Sequence, residues 1–122
     1  MPHISVDYSA GLADGFDRRA LGLAINRLAE ETIDAKPGSC KTLFRQSQQL
    51  VVGTDGTPAD AQVYVEVQMF PGRTPEAKAA LSEGVLALLA EHVKPAAGTR
   101  LLTAVNLADI DRDGYRSAVA AG

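Results

Sequence analysis

From residue 2 to residue 8 the chain alternates, with Ile4, Val6 and Tyr8 on one side and His3, Ser5 and Asp7 on the other. A period of two is the pattern of a half-buried strand. Between Asp14 and Thr32 the spacing changes. Phe16, Ala20, Leu21, Leu23, Ala24 and Leu28 recur at helical intervals, and Lys36-Pro37-Gly38 follows as a stop, so an amphipathic helix is expected. Extended character resumes over residues 40–52 through Leu43, Phe44, Leu50, Val51 and Val52, until Gly53-Thr54-Asp55-Gly56-Thr57-Pro58 breaks it. The order then repeats. Val63-Tyr64-Val65-Glu66-Val67 alternates as a strand and Pro71-Gly72 marks a turn. Thr74 suits an N-cap and Pro75 the first helical position, and Leu81, Val85, Leu88 and Leu89 carry an apolar stripe to Val93. Pro95 and Gly98 end that helix, and Arg100 to Leu107 reads as a last strand.

The chain therefore predicts two β-α-β units, about 1–53 and 61–108, followed by a short Asp-rich tail. Right-handed crossovers in both units put four strands in one sheet and both helices on one face, an α+β fold. We read residues 1–122 as one domain, since that length suits a single core burying roughly two-thirds of the unfolded surface. The sheet's second face is left uncovered, which predicts self-association.

Composition narrows the function classes. Hydrophobic residues at 46% and charged residues at 22% are ordinary globular usage and argue against disorder. A net charge of -3 with scattered Lys and Arg leaves no basic footprint for nucleic acid. No apolar run approaches the ~20 residues of a membrane span, and residues 1–8 do not read as a signal peptide. Cys40 is the only cysteine, so neither an internal disulfide nor a cysteine metal cluster is available, and a cytoplasmic location is the default expectation.

Three segments carry a resemblance. Met-Pro-His-Ile-Ser-Val-Asp-Tyr-Ser at the start is similar to the opening of 5-carboxymethyl-2-hydroxymuconate isomerases. Val65 to Glu76, with Gly72-Arg73-Thr74 at its turn, resembles the strand, turn and helix start of the tautomerase superfamily, and Thr99-Arg100-Leu101-Leu102 resembles the isomerases' last strand. The resemblance implies a homotrimer of double β-α-β subunits that needs no cofactor or metal. It implies that Pro2, exposed by removal of Met1, is the catalytic base, and that arginines hold the carboxylate of a small unsaturated 2-hydroxy or 2-oxo acid.

The chemistry is coherent in its own terms. A terminal secondary amine becomes a useful proton shuttle when desolvation and nearby cations lower its pKa toward neutrality. Arginine remains protonated and grips carboxylates with a planar fork. Arg73 is thus the expected carboxylate anchor and Arg100 a second one. One departure stands out: where the isomerases carry an arginine-rich stretch, this chain reads Ser39-Cys40-Lys41-Thr42. Lys41 is a candidate replacement, and Arg45 lies on the same side of the strand by period two.

Other readings accompany this one. A trimeric scaffold with a lapsed pocket would share the fold, and so would a proline-dependent dehalogenase or hydratase. Asp109-Ile110-Asp111-Arg112-Asp113-Gly114 opens like a calcium loop, but its twelfth position is Ala120 where a bidentate glutamate is needed. The plainer expectation is a polar turn leading to a segment, Tyr115 to Ala121, that packs over a neighbouring subunit. His3 has no second metal ligand at a helpful spacing, His92 sits near a helix end, and Cys40 has no recognisable activating partner.

Overall fold

The computed structural model covers residues 1–122. Strand β1 (His3–Ser9) is followed by a 3-10 turn over Ala10–Gly15, helix α1 (Arg18–Thr32) and strand β2 (Lys41–Ser47). Strand β3 (Asp60–Met69), helix α2 (Pro75–His92) and strand β4 (Arg100–Asp109) repeat the order. The sheet runs β2-β1-β3-β4. Each helix connects a parallel pair, β1 with β2 and β3 with β4, and the two pairs meet antiparallel along β1 and β3. This is the four-stranded α+β arrangement that the alternation predicts.

Both helices lie on one face of the sheet and touch each other. The reason is in the side chains. Leu21, Ile25, Ala29 and Ile33 form a four-residue stripe, Leu81, Val85, Leu89 and Val93 form another, and all eight are buried. They close over Ile4, Val6 and Tyr8 of β1 and Val63, Val65 and Val67 of β3, which contribute every second residue to the same core. A fully buried aliphatic side chain contributes about 1.5–3 kcal/mol, so these stripes explain why short elements hold together.

Several boundaries differ from the sequence expectation. Helix α1 starts at Arg18 rather than near Asp14, because Asp17 caps it through its carboxylate, which accepts from Ala20 N at 3.1 Å. Phe16 precedes the helix in an extended conformation and packs edge-on to Tyr8. Leu23, expected on the apolar face, points outward at 48% exposure. Strand β2 stops at Ser47 rather than running to residue 52, since its only neighbour, β1, ends at Ser9 opposite it. Strand β3 is longer than expected because it has partners on both sides.

The face away from the helices carries His3, Ser5 and Asp7 on β1, Lys41, Leu43 and Arg45 on β2, and Tyr64 and Glu66 on β3. It is partly exposed throughout, with Leu43 at 56%. Glu66 accepts two bonds from Asn106 Nδ2 across to β4, at 2.8 and 3.0 Å. No helix of the chain is long and apolar enough to cross a membrane.

Candidate active site

The first residues extend β1 beyond His3 and are pinned alongside the start of β2. Lys41 N donates to Pro2 O at 3.2 Å, Met1's ammonium donates to Ser39 O at 3.1 Å, and Ser39 Oγ donates to Met1 O at 3.2 Å. Pro2 is buried between them. Lys41 Nζ also donates to Ser39 O, at 2.7 Å, so one carbonyl serves two ammonium groups. Burial, followed by the positive charge of Lys41, holds the terminal amine below its ordinary pKa. Arg73 and Lys36 push the same way, while Cys40 opposes them. With Met1 in place the Pro2 nitrogen is a tertiary amide and carries no basic lone pair.

Arg73 reaches the same end of the molecule from the turn after β3. Its Nε donates to Ile33 O at 3.3 Å and its Nη1 to Phe70 O at 3.0 Å. The guanidinium is half-buried and in contact with no carboxylate, so its charge is not neutralised. It lines an open cleft of about 380 Å³ with Thr32, Ile33, Asp34 and Thr74.

The other two arginines singled out in the sequence sit elsewhere in the chain. Arg45 shares the outer side of β2 with Lys41, as period two requires, but it is locked onto Asp7 through Nε at 2.8 Å and Nη2 at 3.1 Å. Arg100 pairs the same way with Asp60, at 2.7 and 2.8 Å. Asp60 faces Arg100 in the register while Gln68 faces His3. Eight residues of strand at about 3.3 Å each therefore put Arg100 roughly 26 Å from the Pro2 end. The structure brings Lys41 and Arg73 to Pro2 and leaves Arg45 and Arg100 apart from it within one chain. A better enclosed cleft of about 330 Å³, lined by Ser9, Leu12, Ser47, Leu50 and Asp60, lies at that far end. Its one charged group is Asp60, already neutralised by Arg100, so the cleft beside Arg73 is the better candidate for an acidic ligand.

Sequence reasoning missed the contribution of the tail. Tyr115 folds back on its own chain, its hydroxyl 2.9 Å from His3 Nε2 and its ring edge-on to Phe70 at 5.4 Å. Burial, then the charges of Lys41 and the terminal ammonium, hold His3 below the usual imidazole pKa. Asp109, first residue of the calcium-like stretch, is the last residue of β4, and no three acidic, His or Cys side chains converge to hold a metal. Only the aromatic character of Phe70 and Tyr115 hinted that the tail would return.

This sheet of two crossed β-α-β units, with a proline at the start of β1, is the tautomerase fold. Solved structures agree. A 5-carboxymethyl-2-hydroxymuconate isomerase from Deinococcus radiodurans R1 superposes with a TM-score of 0.79 at 20% identity, over 96% of this chain and 88% of that one. A fused 4-OT wild-type symmetric trimer gives 0.76 at 22% identity, over 95% and 91%. N1, a member of the cis-3-chloroacrylic acid dehalogenase family, gives 0.66 at 18%, over 94% and 79%. A search of curated proteins found no significant match. The family model described as 5-carboxymethyl-2-hydroxymuconate isomerase matches residues 2–117, and the chain belongs to that family of isomerases.

Proposed function

We propose that this isomerase moves a proton between oxygen and carbon of a small unsaturated 2-hydroxy or 2-oxo carboxylic acid, with Pro2 as the base after Met1 is removed. The observation that carries the reading is the setting of the terminus: a buried prolyl residue bonded to Lys41 and within the field of Arg73, where burial and those charges hold the terminal amine below its ordinary pKa. Once Met1 is gone, the prolyl amine lies among the same burial and positive charges, which disfavour its ammonium form. It takes the enol proton and returns it to carbon. Arg73 holds the substrate carboxylate with the N–H groups that Ile33 and Phe70 leave free, and Lys41 steadies the charge that develops on oxygen. Arg45 and Arg100 have no part in this scheme within one subunit. The uncovered sheet face, with Leu43 exposed and Tyr64 partly exposed beside polar groups, supports a homotrimer like the symmetric trimer of the fused 4-OT protein.

The likeness to the dehalogenase-family protein keeps hydration and dehalogenation of unsaturated acids as a second reading, since the same base and carboxylate anchor suit water addition. Intact mass of the purified protein, followed by an absorbance assay with phenylenolpyruvate, tests the proposal. Loss of Met1 with rapid ketonisation, reduced roughly a hundred- to ten-thousand-fold in a folded Pro2→Ala variant, is the expected result. Equal activity in Pro2→Ala removes proline from the mechanism, and a processed but inactive protein favours the scaffold.

A further inference from the structure

We infer that Arg112, in the tail after β4, is a specificity residue of the Pro2 site and binds a second carboxylate at the end of the substrate remote from Arg73. The inference rests on the proposed function and names a residue that reading leaves open.

Placement comes first. Strand β4 ends beside β3, and Ile110 N donates to Met69 O at 2.8 Å, so the tail leaves the sheet at the end where β1 begins. It turns at Asp111, whose carbonyl accepts from Gly114 N and Tyr115 N at 3.2 and 3.1 Å. Tyr115 is then fastened to His3, the residue next to Pro2. Between these two attachments Arg112 lies over the Phe70 ring, 4.5 Å from its centroid, and its Nη2 donates to Pro71 O at 3.3 Å. Arg73 donates to the neighbouring carbonyl, that of Phe70. Two guanidinium groups therefore grip consecutive carbonyls of one turn, at the end of the sheet where β1 begins.

Charge comes second. The chain's two salt bridges neutralise Arg45 and Arg100. Arg112 is flanked in sequence by Asp111 and Asp113, yet no carboxylate lies within ion-pair distance of it. A guanidinium stacked on an aromatic ring and bonded only to a neutral carbonyl keeps its charge and most of its five N–H donors for a ligand. Arg73, bonded only to the carbonyls of Ile33 and Phe70, likewise meets no carboxylate. The arginines absent from Ser39–Thr42 thus have a counterpart at the site, delivered by the tail rather than by β2. A monoacid would use Arg73 alone, whereas a diacid would engage both.

The test compares the matched substrates 2-hydroxyhexa-2,4-dienedioate and 2-hydroxypenta-2,4-dienoate, which differ in the far carboxylate. Arg112→Ala is expected to raise KM for the diacid roughly tenfold and to leave the monoacid within about twofold. Arg116→Ala is the charge control, since that guanidinium is turned back onto the carbonyls of Asp113 and Tyr115, and it should change neither. Wild-type turnover with an Arg112→Ala loss that is absent, or equal on both substrates, overturns the assignment and leaves the proline reading standing. Failure of the wild type on both substrates overturns that reading and this inference with it.

Discussion

Replacing Arg73 by alanine separates its two jobs. The side chain ties the end of α1 to the turn after β3 through Ile33 O and Phe70 O, at 3.3 and 3.0 Å. Two such bonds, each worth about 1 kcal/mol net, set a stability loss of about 1–2 kcal/mol, lessened because the group is half-exposed to water. Catalysis should suffer by a different amount. A hydrogen bond to a charged group is worth about 1.5–3 kcal/mol, and for a partly exposed fork the lower end applies, or roughly tenfold to thirtyfold in kcat/KM. That loss falls on KM for phenylenolpyruvate and should spare the enol of its methyl ester, which has no carboxylate to hold. Arg73→Lys keeps the charge but not the fork and should lie between wild type and alanine. Steady-state kinetics on the acid and the ester, with melting curves for all three proteins, give the answer. An equal loss on acid and ester would refute the anchor role and reduce Arg73 to a brace between α1 and the turn.

Two further predictions follow from close contacts elsewhere. A Cβ on Gly15 would stand 2.5 Å from Lys94 O, in the place where Lys94 N bonds Gly15 O at 2.9 Å, so Gly15→Ala should lower stability by about 1–3 kcal/mol in urea titration. Unchanged stability would mean the 3-10 turn and the end of α2 separate at no cost. His3 gives a pH signature. Its imidazole is held below the usual value by burial, then by Lys41 and the terminal ammonium, so the unfolded chain binds its proton more readily than the native one. Stability from this group is therefore complete above the ordinary imidazole range and declines as pH falls through it. The difference in melting temperature between wild type and His3→Gln, followed from pH 8 to 5, should narrow toward acid, and a constant difference would contradict the argument.

The core was legible because it depends on period alone. Ile4, Val6 and Tyr8, and Leu81, Val85 and Leu89, are buried where their spacing predicts. Ends of elements were less so, since they depend on partners not adjacent in sequence: β2 stops when β1 does, and β4 runs to Asp109 because Met69 is beside it. At the candidate site, the arginines divide in the same way. Nothing local distinguishes Arg100 from Arg73, yet Asp60, forty residues from Arg100, neutralises one while only carbonyls meet the other. Tyr115 was legible as an aromatic in a polar tail, but its partner His3 is 112 residues distant.

Both extremities of the polypeptide, residues 1–3 and 110–116, converge on one rim of the sheet. This has a practical consequence for handling the protein. Any residue left ahead of Pro2 by an affinity tag converts its nitrogen to an amide, and a tag behind Tyr115 burdens the segment fastened to His3. Purification handles, fluorophores and surface tethers belong instead in the exposed Gly53–Gly56 turn, at the opposite rim, where Gly53 and Gly56 take positive φ and an insertion touches neither end.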